Sequence, residues 1–300
     1  MEQILAPFEF AFFRNGLAVA TIAGGLCGLV GVYVVLRGMS YIGHGLSHAI
    51  FGGFAASALL GVNYFLGAGV WGFASALMIN RITRRRVIGS DAAIGVITTA
   101  SFALGLALFA VFGNNGAGSF DAALFGSILG VGAEDVIAIS LVAVFAVTVI
   151  FVRYRALLFT TFDPEVAAVS GLNLARMDAL LMLVLAASIL ATMTVLGVTL
   201  VAATLVIPAT VARMLTDSFS RMLVLATIIG ATSGAVGMNL SYHLDVQSGP
   251  TIVLVGATAF GIVFAFSGRR GLRRAAHLDT HPEPVAALPP PPRDTERSAV

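Results

Sequence analysis

Residues 15–36, NGLAVATIAGGLCGLVGVYVVL, contain no Asp, Glu, Lys or Arg. A helix of that length, at 1.5 Å per residue, crosses a hydrocarbon core about 30 Å thick. The pattern repeats outward along the chain. Residues 38–80, 92–120, 136–152, 179–212, 222–244 and 246–268 are equally free of charge. Over all 300 residues, 58% are hydrophobic and 11% charged, where a globular protein carries roughly a quarter. Mean hydropathy is +0.96. A water-soluble fold could not hide that much apolar surface, so the chain reads as an all-α, polytopic membrane protein. A transmembrane β-barrel would need short alternating segments with a polar lumen face, whereas these runs are apolar all round.

The pattern predicts nine spans, near 12–36, 41–60, 63–80, 92–112, 134–152, 177–196, 199–215, 222–241 and 250–267, or eight if one segment is re-entrant. Breaks such as Gly61-Val62-Asn63 and Gln247-Ser248-Gly249-Pro250 separate them. The first span, from about Ala11, reads as a retained signal-anchor. The 17 basic residues are all arginines, clustered at Arg81/Arg84/Arg85/Arg86, Arg153/Arg155/Arg176, Arg213/Arg221 and Arg269/Arg270/Arg273/Arg274, with Arg37 besides. Arginine-rich loops stay cytoplasmic. Two crossings between successive clusters put the N-terminus outside and the C-terminus inside. Segment 113–133 is then an outer loop, its Leu124–Leu129 stretch dipping into the membrane. Residues 1–268 form the transmembrane domain. Residues 269–300, with Leu288-Pro289-Pro290-Pro291-Pro292 and mixed charges, read as a disordered cytoplasmic tail.

Composition also excludes some functions. The arginines form no patch with interleaved aromatics, which argues against nucleic-acid binding. No Gly-rich Lys-Ser/Thr phosphate loop occurs. Cys27 is the single cysteine and cannot form an internal disulfide. Met177, Met182 and Met193 read as core filler, and Ser90-Asp91 as the cap of the fourth span. Gly24 and Gly28 form a Gly-x-x-x-Gly pair that permits close helix approach.

Four stretches carry chemistry. In Tyr41-Ile42-Gly43-His44-Gly45-Leu46-Ser47-His48-Ala49, His44 and His48 are four apart and stack on one helix face. Two neutral imidazoles at this spacing can share one transition-metal ion, and polar groups inside a bilayer mark pathways. The alternative is that each merely bonds a backbone carbonyl. Ser47 adds a weak oxygen. In Thr161–Leu172, Asp163 caps a helix, Pro164 suits its first position, Glu165 favours the positive end of its dipole and Gly171 ends it. A helix of about two turns follows, with an apolar side of Val166, Ala167 and Val169. It suits either docking to a partner or lying on the membrane surface, and residues alone leave both open. Pro208 interrupts the seventh span, where Thr204 or Thr210 could satisfy freed carbonyls. On the outer side, His243 and Asp245 could receive a cation or simply be solvated.

Taken in order, Val34-Val35-Leu36-Arg37-Gly38-Met39-Ser40, Ser47-His48-Ala49, Asp91–Gly95, Leu124–Leu129, Phe162–Glu165 with Ala168 and Gly171, Leu205–Ala209 and Gly249-Pro250 form a series. It resembles the integral-membrane permease of manganese/zinc/iron importers of the ATP-binding-cassette class. The resemblance implies a type II importer-like permease working as a homodimer. Cytoplasmic ATPase subunits would drive it and an extracytoplasmic metal-binding protein would supply it. Such a subunit is a transport component, not an enzyme, and keeps no permanent cofactor. The resemblance makes the Asp163–Leu172 helix, with Asp163, Glu165, Ala168 and Gly171, the element that docks on the ATPase. It makes His48 a pathway ligand for a transported Zn²⁺ or Mn²⁺ ion. Where the family usually has Asp, this chain has His44, which favours zinc by ligand softness. A proton-coupled secondary metal transporter, with the same histidines as relay groups, is the alternative.

Overall fold

The computed structural model of the protein describes residues 6–84, 90–112, 124–127 and 131–278. The apolar runs become helices because a backbone in lipid must bond to itself. After a short 3-10 turn at Ala6–Glu9 come α1 (Ala11–Leu36), α2 (Ser40–Leu60), α3 (Tyr64–Arg84), α4 (Ser90–Phe112) and α5 (Ala133–Val152). Then follow α6 (Tyr154–Phe162), α7 (Pro164–Val169), α8 (Leu174–Leu196), α9 (Val201–Leu215), α10 (Phe219–Leu244) and α11 (Ser248–Leu278). No strand occurs among the described residues.

Among the described residues seven helices are long and apolar enough to cross a membrane: α1, α3, α4, α5, α8, α10 and α11. The expected nine spans are therefore seven clear ones plus two that fall short. In α2 the histidines, serines and glycines dilute the hydropathy, and α9 is a shorter apolar helix. These two carry the histidine pair and Pro208. Both pack on protein, α9 against α1, α10 and α2, and α2 against α4 and α3.

α1 and α8 are the interior of the bundle, with 78% and 72% of their spanning windows buried, against 17% for α5. Small residues allow the tightest seam, between α1 and α10. A Cβ on Gly24 would lie 2.1 Å from the Gly230 carbonyl oxygen, and one on Gly28 2.1 Å from that of Ala226. The two helices are antiparallel: Phe13 meets Tyr242 at 5.0 Å between ring centroids, and Tyr33 meets Phe219 at 5.6 Å. Phe219 also contacts Tyr154 and Phe162 of α6, so the Arg37, Arg153/Arg155 and Arg221 ends share one rim.

At the opposite rim the break between α8 and α9 has a specific cause. Gly197 has φ +74, and a Cβ there would sit 2.3 Å from the Leu124 carbonyl oxygen. Residues 124–127 cross it, with Ser127 N–H donating to Thr194 O at 3.2 Å and Thr199 Oγ1 to Leu124 O at 2.7 Å. The part of the 113–133 loop outside 124–127 and 131–133 lies beyond the described residues.

Local expectations are corrected at four points. α6 was not anticipated; it restarts helix at Tyr154 immediately after the α5 C-cap at Arg153. On α7 only Ala167 is buried, while Val166 and Val169 are exposed at 47% and 90%. The Thr204 and Thr210 hydroxyls bond the Leu200 and Val206 carbonyls, not the Thr204 carbonyl that Pro208 leaves without a donor. Residues 269–278, expected as the start of a disordered tail, are helical instead, because α11 continues to Leu278. The proline-rich end, 279–300, lies outside the described residues.

Candidate metal pathway and coupling element

The turn Arg37-Gly38-Met39 reverses the chain between α1 and α2. Gly38 takes φ +66, a left-handed conformation that glycine adopts without strain. The Met39 N–H bonds the Val34 carbonyl at 2.9 Å. α2 therefore begins at the arginine rim and carries His44 and His48 inward in its first turns.

The four-residue spacing stacks the rings as expected. Their centroids are 4.3 Å apart with planes at 67°. His48 Nδ1 lies 2.8 Å from the His44 carbonyl oxygen. A carbonyl only accepts, so Nδ1 carries the proton and donates. That fixes the tautomer and leaves the His48 Nε2 lone pair for a ligand, the arrangement usual for metal-binding imidazoles. Phe102 of α4 packs edge-on against His48 at 4.4 Å. Its helix can come close because Gly52 on α2 lies against the Ser101 carbonyl. Ser47 is absent from this face: it is fully buried and donates to the same His44 carbonyl at 2.8 Å.

His44 is exposed, His48 half-buried and Tyr41 48% exposed, forming one uncovered face along the first turns of α2. Among the described residues no group of three or more His, Cys, Asp or Glu side chains is placed to hold a metal. On this face the described residues thus offer two nitrogen donors. A cation there must complete its shell with water or with groups from another molecule, which suits passage better than storage.

The second element is α7. Asp163 Oδ1 accepts the Val166 N–H at 2.9 Å, capping the helix, and Pro164 occupies its first turn. Gly171, at φ +80, ends it, with the Leu172 N–H returning to Ala167 O at 3.1 Å. Glu165 and Ala168 are exposed. The result is a short, capped knob on the arginine rim, held through Ala167.

Sequence reasoning missed a third feature, centred on Arg37. Its side chain is 10% exposed and donates to Thr161 Oγ1 (3.1 Å), Thr160 Oγ1 (2.8 Å) and Asp178 Oδ1 (2.7 Å). A signal was present, for Arg37 is the only charge between residues 15 and 80.

His243 and Asp245 are both exposed, and no hydrogen bond or ion pair joins them in the described structure. They lie at the end of α10, by the start of α1. α1 has 26 residues, about 39 Å at helical rise, so they stand far from the start of α2. Asp245 lines a cavity of about 530 Å³ with Ser127, Gln247 and Ser248. Pro208 is buried in the middle of α9.

A model of the ABC 3 transport family matches residues 9–267. The chain belongs to this family. Relatives of this ABC 3 chain include the manganese transport system membrane protein MntC of Listeria monocytogenes, 34% identical over 264 residues, covering 88% of this chain and 94% of that protein. The manganese import system permease protein ScaB of Streptococcus gordonii is 34% identical over 263 residues, 88% of this chain and 94% of that one. The chelated iron transport system membrane protein YfeC of Yersinia pestis is 33% identical over 275 residues, 91% and 92% of the two chains. Among solved structures, PsaBC from Streptococcus pneumoniae in complex with a Fab matches with a TM-score of 0.80 at 33% identity, over 87% of this chain and 94% of that one. An inward-facing putative metal-chelate type ABC transporter shares the fold, with a TM-score of 0.65 at 16% identity. The ABC 3 chain is a multi-pass membrane protein.

Proposed function

We propose that this chain is the membrane-spanning permease of an ATP-binding-cassette importer that passes a divalent transition-metal ion across the cell membrane. One observation carries the reading. His44 and His48 are stacked on an uncovered helix face, with the tautomer of His48 set for ligation. Imidazoles are costly against lipid, so this face belongs against water or protein. A second copy of the permease, meeting the first across α2, would supply two further imidazoles and enclose the pathway. An incoming ion exchanges water for Nε2 atoms there. Because the described residues of each chain place two donors on this face, the ion is held loosely enough to leave.

In this reading the arginine rim faces the cytoplasm and the N-terminus lies outside. The α7 knob, with Asp163, Glu165, Ala168 and Gly171, docks on cytoplasmic ATPase subunits. The cavity at Asp245, near His243, receives the ion from an extracytoplasmic metal-binding protein. Family relatives are named for manganese and iron. An imidazole at position 44 in place of the carboxylate usual there removes a hard oxygen and a negative charge, which favours Zn²⁺ over Mn²⁺.

The test is uptake of radioactive zinc and manganese into vesicles holding the permease with its ATPase subunits. His48→Ala should abolish uptake while leaving membrane insertion and ATPase binding intact; undiminished accumulation would remove the histidine from the pathway. For the dimer seam, Tyr41→Cys in a Cys27→Ala background should form an oxidation-dependent dimer in membranes. Only monomer under oxidant would place this face elsewhere.

A further inference from the structure

We propose that Arg37 is the joint through which movement of α7 reaches the histidine pair, an inference that rests on the transporter reading above. Arg37 sits in the α1–α2 turn, and His44 follows in the first turns of α2, which starts at Ser40. Its guanidinium grips the chain on both sides of α7. Nε and Nη2 donate to Thr161 and Thr160 in the last turn of α6, which runs directly into the Asp163 cap. Nη1 pairs with Asp178 near the start of α8, the helix that follows α7. One planar group therefore fastens the entry to α7 and the exit from it to the origin of α2.

The chemistry suits a joint that transmits direction. Thr160 and Thr161 direct their hydroxyls at the Leu157 carbonyl, at 3.2 and 2.6 Å, so their oxygens present lone pairs to Arg37. An arginine fork holds its partners at fixed angles, whereas an ammonium would act as a point charge. The ion pair is mostly shielded from water, and separating it would strand a charge, so α6, α8 and the turn move together. A cavity of about 370 Å³ borders the group, lined among others by Arg37, Tyr41, Asp91, Thr160 and Asp178, and leaves room for it to shift. Tyr41 continues the route, its ring 6.3 Å from that of His44. A push on α7 would thus tilt α2 from its base and change how its imidazoles meet those of a facing copy.

The experiment uses the full permease assembled with its ATPase subunits in phosphatidylethanolamine/phosphatidylglycerol vesicles. It reads ATP hydrolysis with and without zinc or manganese, and metal taken up per ATP. The double variant Thr160→Val/Thr161→Val removes the α6 arm at nearly constant shape and leaves the Arg37–Asp178 pair. It should assemble and hydrolyse ATP at the basal rate, yet lose at least fivefold in metal stimulation and in uptake per ATP. Arg37→Lys, keeping charge without the fork, should do the same. Wild-type uptake per ATP in the double variant overturns the proposal, and so does a loss that merely tracks a smaller yield of assembled complex. A wild-type transporter whose ATPase ignores both metals overturns the transport reading itself, and the joint with it.

Discussion

A methyl group at Gly28 would place a carbon 2.1 Å from the Ala226 carbonyl oxygen and 2.7 Å from its carbonyl carbon. Close carbon–oxygen contacts settle at about 3.3 Å, so α1 and α10 would have to part by roughly 1.2 Å. Neither neighbour can rotate away, because both atoms belong to the α10 backbone. The same helix pair is in backbone contact at Gly24 against Gly230 and at Gly234 against Ala20, so separation at one point opens the whole seam. Overpacking of this kind costs about 1–3 kcal/mol, and a backbone clash belongs at the upper end. For a chain of 300 residues that corresponds to a fall in melting temperature of roughly 3–5 °C. The matched control is Gly261→Ala, where a Cβ would meet nothing within 4 Å. By helix propensity that change should be neutral or stabilise by up to about 1 kcal/mol. Thermal unfolding of the two variants in detergent, followed by size-exclusion recovery of monodisperse protein, gives the comparison. Indistinguishable midpoints for Gly28→Ala and Gly261→Ala would refute the view that direct backbone contact holds this seam.

Two further outcomes follow from the sites. His44→Asp should shift metal-stimulated ATP hydrolysis from zinc toward manganese, because an oxygen donor and a negative charge replace a nitrogen; an unchanged zinc-to-manganese ratio would mean that residue 44 does not touch the ion. Asp163→Ala should strip the cap from α7, about 1 kcal/mol of helix stability, and weaken co-purification of the ATPase subunits. Asp163→Asn, which still offers a capping oxygen, should retain it, and equal behaviour of the two variants would show that the cap is irrelevant to docking.

The spans, the stacked histidines and the capped α7 were legible in the sequence because each rests on local spacing. Charge-free runs specify where the chain can enter lipid, and a separation of four residues puts His44 above His48 on any helix. Asp163 and Pro164 signal a helix start wherever they occur together. The apolar side of α7 was less legible, since six residues are too few for periodicity to say which side chain is covered. α6 gave no break signal at Arg153 that could be told from a simple helix end.

What composition and spacing determined, then, is the solvent and the local geometry: a helical chain in a bilayer, with two imidazoles one turn apart. Only the tertiary structure decided that α1 and α8 are interior while α5 faces outward. Helices apolar on every side have no marked face, so their sequences cannot say which neighbour they choose. The Arg37 cluster was hidden for a related reason. Its partners lie 123 to 141 residues away, and no local pattern in the chain announces a meeting that packing alone brings about.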